Sequence, residues 1–117
     1  MLTVYALKAC DTCKKAIKWL DSEGIAHAVH DVRANGLPSD IVSMIVAAVG
    51  FDKAVNKRST TWKGLDEAAK ANLDADHAVA LITANPTLMK RPAFVADGKA
   101  VVGFDATAQH FAKTNGQ

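Results

Sequence analysis

Cysteine is scarce in this chain: two in 117 residues, both in the short run Cys10-Asp11-Thr12-Cys13. A pair so close in sequence cannot staple distant parts of a fold, which excludes a structural disulfide framework. Charge imbalance is also missing. The formal net charge is +2, and the lysines are scattered apart from Lys14, Lys15 and Lys18. With no basic tail or arginine-rich run, nucleic-acid binding is excluded as the main activity. No apolar run is long enough to cross a bilayer, so no membrane association is expected. No basic segment precedes an apolar stretch at the start, so no secretory leader is expected and the cytoplasm is the default compartment. Internal repeats, low-complexity tracts and long linkers are absent. What remains is 50% hydrophobic and 22% charged, as in a globular domain with a real core. The length suits one domain, residues 1–117, and nothing in the sequence demands more than a monomer.

The residue pattern sets out the elements in order. Leu2 to Leu7 reads as a short buried strand. From Asp11 the apolar residues Cys13, Ala16, Ile17 and Leu20 follow helical spacing, with Lys14, Lys15, Lys18 and Asp21 opposite and Gly24 as the stop. Ile25 to Val32 reads as a second strand, broken at Asn35-Gly36-Leu37-Pro38. Ser39 is placed as an N-cap for a helix carrying Ile41, Val42, Ile45, Val46 and Val49 and closed by Gly50. Phe51 to Leu73 is less periodic and reads as a loop around residues 56–62 followed by a short helix. Asp76 is placed as the cap of a helix through Ala78, Leu81 and Ile82. Pro92 leads into a strand over residues 93–96, Asp97-Gly98 is a hairpin turn, and residues 99–102 return. Ala106 to Lys113 ends the chain as a helix. Two strands joined by a right-handed crossover, followed by a hairpin, give a four-stranded mixed sheet with helices on its faces. This α/β arrangement is thioredoxin/glutaredoxin-like, with a helical insertion over about residues 38–85 between strands two and three.

The chemistry starts at the first strand-to-helix junction. A sulfur at Cys10 faces the first-turn N–H groups and the positive end of the helix dipole, which favour thiolate over thiol. Lys8 and Lys14 are close enough in sequence to add to this. Cys13 lies one turn on, where Cβ atoms are roughly 5–6 Å apart and a modest rotation closes a disulfide. Helical spacing turns Cys13 inward and leaves Cys10 at the tip, so Cys10 attacks and Cys13 resolves the mixed disulfide. A second reading keeps Cys13 as a small hydrophobe of the core, with Cys10 reactive alone. Half a zinc site is the remaining alternative. The other candidate ligands, His27, His30, His77 and His110, show no paired metal spacing, so no metal is expected.

Three ordered segments together resemble the ArsC/Spx family over almost the whole length. They are residues 10–16 with the Cys-x-x-Cys, residues 56–65 (Asn56-Lys57-Arg58 through Trp62 to Leu65), and Asn85-Pro86 with Met89-Lys90-Arg91-Pro92. The likeness is greatest to the YffB branch, small ArsC-like proteins proposed to be glutathione-dependent thiol reductases. The resemblance implies the helical insertion, a cis Pro92 bordering the site opposite Cys10, and no bound cofactor. Glutathione is the implied co-substrate, with glutaredoxin as a further partner. Cys10 and Cys13 are the implied catalytic pair, and Lys8, Thr12, Arg58, Arg91 and Pro92 the substrate contacts. Arsenate reductases of this kind place three arginines around the oxyanion. Here Arg91 matches one, Asn56 takes the register of the second with Arg58 two residues later, and Val102-Gly103 stands where the third belongs. The incomplete set disfavours arsenate reduction, because each charge-assisted contact to an oxyanion is a strong one. A thiol–disulfide oxidoreductase is the expectation. The alternatives are a Spx-like redox-sensing regulator binding the RNA polymerase α subunit, and a glutaredoxin-dependent arsenate reductase.

Overall fold

The sheet is ordered β2-β1-β3-β4 in a computed structural model that describes residues 2–71 and 73–115. The strands are β1 (Leu2–Ala6), β2 (His27–Asp31), β3 (Ala93–Ala96) and β4 (Lys99–Val102). β2 runs parallel to β1, β3 is antiparallel to β1, and β4 is antiparallel to β3. The mixed four-stranded sheet expected from the sequence is therefore present, in the thioredoxin/glutaredoxin-like arrangement.

Strand alternation divides the molecule into two cores. Leu2, Val4, Ala6, Phe94 and Ala96 face α1 (Asp11–Ser22) and α8 (Ala106–Asn115), where Cys13, Ala16, Leu20, Ala108 and Ala112 pack on them. Tyr5, Ala93, Val95 and Ala100 face the other way, onto Val42, Ile45 and Val46 of α3 (Ser39–Val49) and Ala78 and Ile82 of α7 (Ala75–Ala84). Cys10 touches both clusters, so it sits at the sheet end where the two layers meet.

The helix α1 ends as its glycine dictates. Gly24 has φ +66°, its N–H reaches Asp21 O, and the Ile25 N–H reaches Leu20 O, a Schellman closure. The turn between β3 and β4 puts Asp97 at φ 51° and Gly98 at φ 73°, the two positive values that an Asp-Gly hairpin turn supplies.

β1 ends at Ala6 rather than Leu7, β2 begins at His27 rather than Ile25, α8 runs to Asn115 rather than Lys113, and at three helix starts the capping residue differs from expectation. The second strand stops at Asp31 rather than Val32, because the Asp31 carboxylate accepts the Arg33 and Ala34 N–H groups and starts the helical turn α2 (Val32–Asn35). Ser39 is the first helical residue of α3, not its cap; Pro38 occupies the cap position and no side chain closes it. α7 is capped by Asp74, whose carboxylate accepts the His77 N–H at 2.8 Å, and Asp76 lies within its first turn. The helical stretch between β2 and β3 therefore begins at residue 32 and includes three short helices, α4 (Phe51–Ala54), α5 (Thr60–Lys63) and α6 (Glu67–Lys70), where one was expected. It closes with a single 3-10 turn, Pro86–Leu88.

Candidate active site

Cys10 is the N-cap residue of α1, with extended backbone at φ −82° and ψ 120°. Its carbonyl accepts the Lys14 N–H at 3.0 Å and its own N–H donates to Leu7 O at 3.0 Å, so the backbone that carries the sulfur is held on both sides. No side-chain hydrogen bond of full geometry closes the cap, yet the sulfur faces the first-turn N–H groups. Partial burial pushes the Cys10 thiol up. The Cys13 N–H, the Cys13 thiol, the Arg91 charge and the Thr12 N–H together outweigh this and hold it below the ordinary thiol value.

Cys13 is 1% exposed. Burial, followed by hydrogen bonding to Cys10 and the Cys10 charge, raises its thiol to about 11 against the lowering effects of the Leu7 backbone and Arg91. Both shifts have one cause in common: a proton held on Cys13 is shared toward a thiolate on Cys10. The pair is thus asymmetric, with one partly exposed sulfur poised for ionisation and one buried sulfur that keeps its proton. Both are free thiols in this structure.

Arg91 supplies the fixed positive charge. Its Nη1 donates to Thr87 O and, at 3.1 Å, to Met89 O, while the buried Nε has no partner among the described residues. The segment that carries it is tied to the insertion: Asn56 N–H donates to Leu88 O, Lys90 N–H to Ala54 O, and the Thr61 and Thr87 hydroxyls bond at 2.7 Å. The Arg91–Pro92 peptide is cis, and the Pro92 carbonyl accepts the Gly103 N–H at 2.8 Å, which links it to the end of β4.

Of the other expected contacts, Thr12 stays beside Cys10, whereas Lys8 and Arg58 line other surfaces. Lys8 is exposed and lines a groove with Lys14 and Lys18; its charge acts on Asp31, and Arg91 takes the role at Cys10 expected of Lys8 and Lys14. Thr12 is exposed in the first turn and contributes its backbone N–H rather than its hydroxyl. Arg58 lines a cavity of about 550 Å³ with Asn56, Lys57, Lys90 and Gly103, a wall that Cys10 does not share. Asn56 is a loop staple, its side-chain oxygen accepting the Arg58 N–H at 3.1 Å. Lys90, on the cavity wall, carries no sequence signal of its own within the Lys-Arg-Pro run. Thr87, which holds Arg91 through a backbone carbonyl, gave no sequence signal at all. Trp62 is a half-buried anchor of the insertion, with Lys57 and Lys70 5.9 and 5.6 Å from its ring centre. His27 and His30 lie in β2, His77 in α7 and His110 in α8. Among the described residues no group of three His, Cys, Asp or Glu side chains is placed to hold a metal ion.

A central strand leading into a helix-capping cysteine, with a cis-proline before the third strand, defines a thioredoxin-fold protein with one partly exposed thiol. Residues 5–110 match the model of the ArsC family, and the chain belongs to that family. A protein of uncharacterised function from Haemophilus influenzae is 49% identical over 105 residues, covering 90% of this chain and 92% of its own. The global transcriptional regulator Spx of Listeria innocua is 28% identical over 112 residues, covering 90% and 81%. A solved YffB protein superposes with a TM-score of 0.89 at 38% identity, covering 96% of this chain and 98% of its own.

Proposed function

We propose that the protein is a glutathione-linked thiol–disulfide oxidoreductase with Cys10 as nucleophile. The observation that carries this is the asymmetry of the cysteine pair: Cys10 lowered and partly exposed, Cys13 raised to about 11 and buried. The Cys10 thiolate attacks a disulfide, forms a new S–S bond and expels a thiolate, which takes a proton from solvent. A second thiol then releases the enzyme. If Cys13 does so, it gives up its proton, forms the Cys10–Cys13 disulfide and expels the bound thiol. If glutathione attacks a glutathione held on Cys10, a new S–S bond forms between the two, glutathione disulfide leaves and Cys10 returns as thiolate.

The first step prepares Cys13 for the second. Once Cys10 is part of a mixed disulfide its charge is gone, and with it one of the influences that keep the Cys13 proton in place. Burial still opposes ionisation, so resolution by Cys13 is slow relative to attack by Cys10. Glutathione is favoured as the co-substrate because Arg91 places a fixed positive charge at Cys10, suited to an incoming thiol that carries carboxylates. Arsenate fits less well. The resemblance puts the third oxyanion arginine near Val102-Gly103, where no arginine stands, and Gly103 at φ +85° has a conformation that favours glycine.

The test is reduction of the mixed disulfide of glutathione and 2-mercaptoethanol, with glutathione as reductant. Wild type and Cys13→Ser are expected to turn over and Cys10→Ser is not. Activity retained in Cys10→Ser would remove the nucleophile from the account.

A further inference from the structure

The face of β2 that looks toward α1 is only partly covered. Register places Val29 beside Val4 and Asp31 beside Ala6, so both lie on the α1 side of the sheet. β2 is an end strand, and α1 packs over its neighbour β1. The result is a groove of about 630 Å³ between the helix and the sheet edge. Its apolar lining includes Ala6, Leu7, Ile17 and Val29, and Val29, 50% exposed, is the one exposed large hydrophobic among the described residues.

The rim is cationic. Lys8, Lys14 and Lys18 line it, and no carboxylate of the described residues lies within ion-pair distance of any of them. Two aspartates share the wall with the three lysines, Asp31, which accepts two backbone N–H groups, and Asp21, 3.7 Å from His27, so the lysines exceed the carboxylates by one. Natural sheet edges are commonly shielded from pairing by charge or by a covering element. Here the edge offers an apolar strip bordered by unpaired lysines, and Lys8 is two residues from the reactive sulfur.

We propose that this groove docks an acidic, extended segment of a protein disulfide substrate. The inference rests on the oxidoreductase reading and names the substrate class. The segment lays an apolar side chain against Val29 and Ile17, pairs main chain with the β2 edge, and sets its carboxylates against Lys14 and Lys18. Its disulfide then lies toward Lys8 and Cys10. Rim charges of this kind act chiefly on the association rate and on partner choice.

Two synthetic peptide–glutathione disulfides test this, one with glutamates flanking its cysteine and one with glutamines. The wild type is expected to favour the acidic peptide about tenfold in kcat/KM at low ionic strength, with the preference fading in high salt. In Lys18→Glu/Val29→Asp the preference is lost, whereas turnover of the small 2-mercaptoethanol–glutathione disulfide is unchanged, which also shows that the variant is folded. Equal kcat/KM for the two peptides in the wild type overturns the proposal, as does a preference that survives the double substitution. Fluorescence anisotropy of the acidic peptide with serine in place of cysteine reads docking without chemistry. Docking lost in the double variant supports the groove, even where absent turnover defeats the oxidoreductase reading. Saturable shifts of groove amides with decanoate, and none with the peptide, would assign the groove to a small anion and overturn the proposal.

Discussion

Replacing Arg91 separates two duties that one side chain performs. The guanidinium ties the 86–92 segment together through Thr87 O and Met89 O, and its charge favours thiolate at Cys10. Removing a hydrogen bond made by a charged group costs about 1.5–3 kcal/mol. Arg91 is half-buried, so we expect Arg91→Ala to cost about 2 kcal/mol in total. A chain of this length loses about 4 °C in Tm per kcal/mol, which gives a fall of about 8 °C. The second duty is read by the pH dependence of iodoacetamide alkylation of Cys10. In the wild type the profile lies at lower pH than for an ordinary thiol, and Arg91→Ala moves it to higher pH because the lost cation favoured the ionised form. Arg91→Lys keeps a charge but loses the planar fork, so it is expected to lower Tm while moving the profile less. An Arg91→Ala profile that coincides with wild type would refute the electrostatic role.

Three further outcomes follow from packing and capping. Asp74→Ala is expected to cost about 1 kcal/mol, roughly 4 °C in Tm, because it removes the cap of α7, whereas Asp76→Ala costs a few tenths; thermal melts with the reverse order would contradict the assigned cap. Phe94→Ala, at a fully buried position beneath α1 and α8, is expected to cost about 3–5 kcal/mol in urea unfolding; a loss below about 1 kcal/mol would mean that the two helices do not pack on β3 as described. The backbone bonds of Asp31 hold its carboxyl below the usual carboxylate range, so its contribution is present above about pH 4 and is lost as pH falls through the lowered value. Asp31→Asn should therefore flatten the acid limb of the stability–pH curve. An unchanged acid limb would count against that link.

Much of the architecture was legible because local signals agreed with the global fold. The apolar spacing of Cys13, Ala16 and Leu20, the stops at Gly24 and Gly50, and the Asp97-Gly98 turn each fix an element without reference to the rest of the chain. The exposure difference within the cysteine pair followed from one helical turn. What was not legible depends on choices between equivalent caps and on long-range tertiary contacts. Asp74 and Asp76 are chemically the same, and only packing of Ala78 and Ile82 decides which one starts α7. Asp31 looked like the penultimate residue of a strand because its capping bonds are invisible in a hydropathy pattern. Lys8 lies two residues from Cys10 in sequence, yet Arg91, eighty-one residues away from Cys10 along the chain, supplies the charge. Proximity along the chain is a poor guide where the end of a central strand meets a segment from a distant part of the sequence.

Intact mass after incubation with glutathione disulfide tests the central claim most directly, on wild type, Cys10→Ser and Cys13→Ser. With Cys10 as nucleophile, Cys13→Ser gains one glutathione and Cys10→Ser gains none. The wild type either loses two protons to a Cys10–Cys13 disulfide or retains one glutathione on Cys10, and the ratio measures how far Cys13 resolves. Adduct formation in Cys10→Ser, or no modification of Cys13→Ser, would contradict the assignment of Cys10 as the attacking sulfur.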